Sequence, residues 1–192
     1  MRQVDFHMQE DTQTDNPMKT AIPIVSHLGS RSKQALLRHF QALGPEDRRL
    51  RFGHAISDEG LAAYVAKLDL SRDGVYVVRD GRQRILGAAH VALAGNRAEV
   101  GVSVLAEARN LGLGTRLLRQ AADFARSRQA VRIDIHFLAE NKGMQQIARK
   151  CGMQIQTQAG ESEAWLMLPG TDGAHPAPPR NLPTGIEARR AA

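Results

Sequence analysis

The chain has 192 residues, 42% of them hydrophobic and 24% charged, which is the composition of a soluble globular protein and the length of one domain with appendages. No apolar run approaches the ~18 residues that a bilayer span needs, so a membrane protein is excluded, and the apolar content excludes a wholly disordered chain. Lys and Arg number 26 against 20 Asp and Glu, a formal net charge of +6, and the sequence pI of about 10.1 raises the question of an anionic partner.

The domain is expected over residues 20–168, between a disordered tail at 1–19 and a disordered Pro/Ala-rich tail at 169–192. TAIPIVSHL reads as a strand, and SKQALLRHFQAL as a helix in which Leu36, Phe40 and Leu43 recur at i, i+4, i+7. Gly44-Pro45 stops that helix, and Ser57-Asp58-Glu59 opens a second one, LAAYVAKL, with acids at its positive end. VYVVRD and RILGAAHVALAG form a hairpin around Asp80-Gly81, and Gly95-Asn96 turns the chain into AEVGVSVL. On that third strand Val100, Val102 and Val104 share one face while Glu99, Gly101 and Ser103 share the other. LGTRLLRQAADFARSR is an amphipathic helix and VRIDIHFL a strand; Asn141 caps the helix KGMQQIARK, and MQIQTQ and EAWLML close the domain as a hairpin. The order β-α-α-β-β-β-α-β-α-β-β implies a single-domain α/β fold with a mixed, mainly antiparallel sheet flanked by helices.

Position decides what the basic surplus means. Residues 1–19 carry two basic and four acidic side chains and 170–192 carry three and two, so a surplus of seven falls within 20–169. Aromatic residues are only 4%, too few for base stacking, and Arg116, Arg119, Arg126 and Arg128 read as a solvated helix face; no nucleic-acid partner is expected. The lone Cys151 forms neither an intramolecular disulfide nor a thiolate-rich zinc site, and no histidine pair has metal-ligand spacing, so no metal is expected. The acidic start MRQVDFHMQEDTQTDNP lacks a signal peptide's apolar stretch, which makes a cytoplasmic location the expectation.

The most informative stretch runs from Val102 to Thr115, from a strand through a tight loop into a helix. Gly112 and Gly114 let the backbone approach a ligand, and the first-turn N–H groups of the helix have no intrahelical acceptor. Free amides and the helix dipole together suit a pyrophosphate. No Gly-Lys-Ser/Thr follows, and Leu117 stands where a dinucleotide fingerprint needs a third glycine.

Arg109-x-x-Gly-x-Gly114, preceded by an antiparallel strand and followed by an amphipathic helix, resembles the acetyl-CoA-binding motif of the GNAT superfamily of N-acetyltransferases. Asn141 opening a helix, followed by Ile147-Ala148-Arg149-Lys150-Cys151-Gly152-Met153, is similar to that family's Asn-x5-Leu-Tyr-x-Lys-x-Gly-Phe segment. The resemblance implies acetyl-CoA as co-substrate. Backbone amides of Asn110, Leu111, Gly112, Leu113, Gly114 and Thr115 would hold the pyrophosphate, with charge from Arg109 and Arg116. The strand at Val102 and Val104 would offer main-chain groups to the pantetheine arm, beside a sheet splayed against VRIDIHFL, and Asn141 would touch the pantetheine or orient the site.

The resemblance also implies acetyl transfer to a primary amine, a small molecule or a protein lysine, by direct attack in a ternary complex. Glu99 is the expected general base, because an amine attacks only when neutral; Asp80 and Glu107, both in turns, are the alternatives. Ala148 stands where the family places a tyrosine general acid, so an acyl-CoA-binding sensor without catalysis is the alternative function. Asp47-Arg48-Arg49-Leu50-Arg51-Phe52 resembles a Ser-x-x-x-Arg-Phe stretch of the family's protein-lysine branch. No membrane partner is expected, and a homodimer stays open.

Overall fold

The alternating segments resolve into one seven-stranded sheet in the computed structural model, which describes residues 24–29 and 32–168. The two expected tails lie outside the described residues. In chain order the elements are β1 (Val25–His27), α1 (Lys33–Gln41), α2 (Pro45–Phe52), α3 (Asp58–Lys67), β2 (Gly74–Arg79), β3 (Ile85–Ala94), β4 (Arg97–Val104), α4 (Leu113–Ser127), β5 (Arg132–Leu138), α5 (Lys142–Lys150), β6 (Gln154–Gln158) and β7 (Glu161–Met167). The sheet order is β1-β2-β3-β4-β5-β7-β6, antiparallel throughout except for the parallel pair β4–β5. The expected fold class holds, with one helix more than the sequence pattern gave.

That extra helix is α2. Gly44-Pro45 stops α1 and also starts a new helix: Gly44 is the N-cap and Pro45 sits in the first turn, where a missing N–H removes no helical hydrogen bond. Glu46 and Asp47 stand in the first turn and Arg49 and Arg51 in the last, both matched to the helix dipole. Gly53, at φ 81°, ends it in the left-handed conformation that glycine adopts without strain.

The two faces of the sheet bury different things. On one face α4 packs its Leu117 against Gly87 and its Phe124 against Gly74, close enough that a Cβ at Gly74 would meet the Phe124 ring at 2.7 Å. On the other face α1, α2 and α3 bring Phe40, Phe52 and Tyr64 into an edge-to-face cluster with centroids 5.2 to 5.8 Å apart. Burial of such side chains contributes roughly 1.5–3 kcal/mol each. The buried Arg51 guanidinium lies among these rings, 4.9 Å from the Phe52 centroid, and donates to the Tyr64 hydroxyl at 3.3 Å. Gly101 on β4 makes room for it, since a Cβ there would stand 2.3 Å from the guanidinium carbon.

Beside the β4–β5 junction, buried Asp134 receives Arg97 in a two-pronged pair at 3.0 and 3.1 Å and Arg132 Nε at 2.5 Å. Arg132 also pairs with Glu163 on β7 and lies 5.0 Å from the centroid of Trp165 on the same strand. The final hairpin turns through Ala159 and Gly160 alone, both with positive φ, the two-residue turn whose twist matches antiparallel strands.

Candidate active site

β4 is held on one side and open on the other. It pairs with β3 along its whole length, from Arg97↔Ala94 to Val104↔Gly87. It pairs with β5 only through Arg97↔Arg132, Ala98↔Ile133 and Glu99↔Asp134. Beyond that rung β5 keeps β7 as its partner up to Leu138↔Glu161, and the two parallel strands diverge into a V. The N–H of Leu105 donates to Leu86 O at 2.9 Å, and an antiparallel ladder repeats such bonds at every second residue. Val102 and Val104 therefore turn their N–H and C=O groups away from β3 and into the V.

At the end of β4 the chain makes a short helical turn at Ala106–Ala108 and enters α4 through two left-handed residues, Asn110 at φ 62° and Gly112 at φ 74°. Open space surrounds the position a Cβ would take at Gly112, whereas Gly114 packs so tightly on Ile147 of α5 that a Cβ would stand 2.5 Å from it. No side chain caps the N-terminus of α4, and no acidic residue stands in its first turn. Its leading amides and the positive end of its dipole therefore face a cleft of about 400 Å³.

The cleft brings together most of the expected binding residues. Val102, Val104, Arg109, Asn110, Gly112, Leu113, Gly114, Thr115 and Asn141 line it. Leu111 is exposed outside it, and Arg116, one turn into α4, is not part of its wall. Asn141 caps α5, accepting from the Met144 N–H at 3.0 Å, and lines the cleft as well. Asp47, Leu50 and Arg51 of α2 form part of the wall, and Asp47 pairs with Arg109 at 2.5 Å. Arg49 of the same helix pairs with Glu140 at the end of β5, so α2 bridges the two lips of the V.

Glu99 is not in the wall. It lies at the last β4–β5 rung, half-buried, on the face it shares with Gly101 and Ser103. The alternatives have structural work: Asp80 accepts from the Arg82 and Arg84 N–H groups in its turn, and Glu107 pairs with Arg84. His90 is tied to Tyr64 at 2.9 Å and Asp73 at 3.1 Å, away from the cleft. Burial pushes the Cys151 thiol up, away from reactivity. Ala148 is fully buried against the core.

Sequence reasoning missed Ser103. It lines the cleft, and its Oγ lies 2.8 Å from Nε2 of His39 on α1. The other ring nitrogen, Nδ1, lies 3.0 Å from the Ile85 carbonyl. A carbonyl only accepts, so Nδ1 carries the proton of the neutral ring and Nε2 accepts the Ser103 O–H. Burial, first of all, lowers His39 to about 4, with Arg51 acting in the same direction against the Ile85 hydrogen bond, so the ring is neutral at pH 7. No sequence signal joins residues 64 apart on a helix and a strand.

The sequence model of the acetyltransferase (GNAT) family matches residues 34–153. The chain belongs to that family. This GNAT protein is thus an N-acetyltransferase by family, on an α/β fold of the acyl-CoA N-acyltransferase kind. No curated protein matches it significantly. Among solved structures it is similar to the GNAT domain of S. lividans PAT, with 18% identity, a TM-score of 0.64, and 75% of this chain and 89% of that one covered. It is also similar to a Sinorhizobium meliloti phosphinothricin acetyltransferase in complex with AcCoA, with 13% identity, a TM-score of 0.64, and 81% and 93% covered. A third is the ribosomal-protein-alanine N-acetyltransferase of Brucella melitensis, with 18% identity, a TM-score of 0.60, and 76% and 99% covered. At these identities the likeness is one of fold, and the names of the last two carry quite different acceptors. Among the described residues no helix is long and apolar enough to cross a membrane, and no cluster of three His, Cys, Asp or Glu is placed to hold a metal.

Proposed function

We propose that this GNAT protein transfers the acetyl group of acetyl-CoA to a primary amine, of a small molecule or a protein lysine, by direct attack in a ternary complex. The observation that carries the reading is the unpaired edge of β4 running into the uncapped N-terminus of α4. The amides from Asn110 to Thr115 receive the pyrophosphate, and the in-plane groups of Val102 and Val104 receive the amides of the pantetheine arm. An N–H near Val104 then faces the thioester oxygen and stabilises the charge that develops there.

Glu99 takes the amine proton through water, from its place at the closed end of the V. With alanine at position 148, the thiol leaves as a thiolate that solvent protonates, which a thiol of ordinary pKa near ~8.5 tolerates. The cationic wall formed by Arg109 and Lys150 suits a cofactor carrying several phosphate charges.

The experiment is thiol release from acetyl-CoA across a panel of primary amines and lysine-bearing peptides. Turnover with an amine and none without it is expected; Glu99→Gln lowers kcat while acetyl-CoA affinity stays. Gly112→Val forces a β-branched residue into the left-handed region beside the phosphates and abolishes acetyl-CoA binding in calorimetry. Normal binding by that variant overturns the loop assignment, and unchanged turnover in Glu99→Gln removes Glu99 from the role.

A further inference from the structure

Ser103 is placed differently from the main-chain groups beside it. The N–H and C=O groups of Val102 and Val104 point within the plane of the sheet, toward β5, whereas a strand side chain stands roughly perpendicular to that plane. Ser103 shares its face with Gly101, the face on which the Arg51 guanidinium and α2 stand. A group that meets its hydroxyl therefore comes from the α1–α2 side, not along the strand edge that the pantetheine arm occupies.

The chemistry of that hydroxyl is fixed from behind. His39 is buried at 3% exposure, its Nδ1–H is committed to the Ile85 carbonyl, and its Nε2 can only accept. The single proton of Ser103 goes to Nε2, which leaves only oxygen lone pairs for the cleft. Ser103 thus cannot donate to a departing thiolate without losing its bond to His39, and it cannot stabilise an oxyanion. It suits a ligand N–H.

The geometry points to Ser103 as the hydrogen-bond acceptor for the attacking nitrogen: His39 holds the serine proton away from the cleft, and the serine oxygen receives an N–H of the amine as it approaches the acetyl carbon. Ser103 touches the substrate; His39 is a positioning residue acting through it. No bond to serine forms, and the proton that the amine loses leaves by another route. The inference rests on the cleft being the acetyl-CoA site proposed above and adds to it the group that orients the acceptor.

The test needs no knowledge of the natural acceptor. Two CoA analogues carry the product geometry on the sulfur: one ends in S–CH2–C(O)–NH–CH3, and the other, with an ester oxygen in place of the N–H, ends in S–CH2–C(O)–O–CH3. Calorimetric titration of the full chain is expected to show the amide binding about three- to tenfold more tightly than the ester, the range of one neutral hydrogen bond. Ser103→Ala is expected to bind the two alike and Ser103→Thr to restore the preference. His39→Phe frees the serine proton to turn toward the cleft and narrows the ratio, but has no effect on it in the Ser103→Ala background.

Free CoA binding in each variant reports whether the cleft is intact, and the wild-type comparison stands even if a variant does not fold. Equal binding of amide and ester by the wild type overturns the proposal, as does a preference that survives in Ser103→Ala. So does an acetyl group found on Ser103 by mass spectrometry after incubation with acetyl-CoA, which would make the serine a nucleophile. Failure of CoA and both analogues to bind the wild type overturns the underlying acetyl-CoA reading, and this proposal with it.

Discussion

His39→Gln isolates the effect of burying an imidazole at the back of the cleft. In the folded chain burial holds the ring down at about 4, against an ordinary 6.5. As pH falls below about 6.5 the unfolded chain takes up a proton at this residue while the folded chain does not, so stability is complete above that pH and declines toward the folded-state value. At ~1.36 kcal/mol per pKa unit, the loss between pH 7 and pH 5 is about 2 kcal/mol, and complete titration costs about 3 kcal/mol. A glutamine retains a donor and an acceptor but does not titrate. Urea unfolding of both proteins from pH 7.5 to 4.5 cancels the common contribution of the carboxylates. The expected result is a wild-type curve that falls more steeply than the variant's by about 2.5 kcal/mol over that interval. Parallel curves would refute the reasoning, because they would mean that His39 titrates alike in both states and is not held neutral by its surroundings.

Three further perturbations probe the frame of the site. Gly101→Ala drives a methyl group into the Arg51 guanidinium and should lower stability by about 1–3 kcal/mol in chemical denaturation, with loss of acetyl transfer as Arg51 is displaced. Asp134→Asn removes the buried carboxylate between Arg97 and Arg132; unfolding measurements should show a loss of about 1–3 kcal/mol, since two half-buried cations then share Glu163 as their remaining counter-charge. Asp47→Asn removes the partner of Arg109 at the rim; stability should change by less than about 1 kcal/mol while acetyl-CoA binds more tightly at low salt, an advantage that calorimetry at high salt should find diminished.

Much of this architecture is legible in the sequence because local patterns dictate it. The stripe of Leu117, Leu118, Ala121 and Ala125 gives α4, Asn141 marks the start of α5, and the glycines at 112 and 114 mark the phosphate loop. α2 is misread because Gly-Pro is a terminator and an initiator at once, and only the acids that follow it argue for the second role. What local patterns do not encode is juxtaposition. The splay of β4 from β5 depends on β7 taking up β5's other edge, and the pairing of His39 with Ser103 depends on how α1 crosses the sheet. Glu99 stands on the strand and face that the alternation of β4 gives it; its distance from the cleft wall follows from the rung at which the V begins, which no spacing rule supplies.

The three-rung junction between β4 and β5 also means that the sheet is two half-sheets sharing a short seam. Beyond that seam every second amide of β4 is locked to β3 while its neighbours face only the cleft. Amide hydrogen exchange should therefore read along this strand as a comb, slow at Ser103 and Leu105 and fast at Val102 and Val104, with the fast teeth filling in when CoA is added. Past the seam, β4 is half core and half binding surface, one backbone amide after the next.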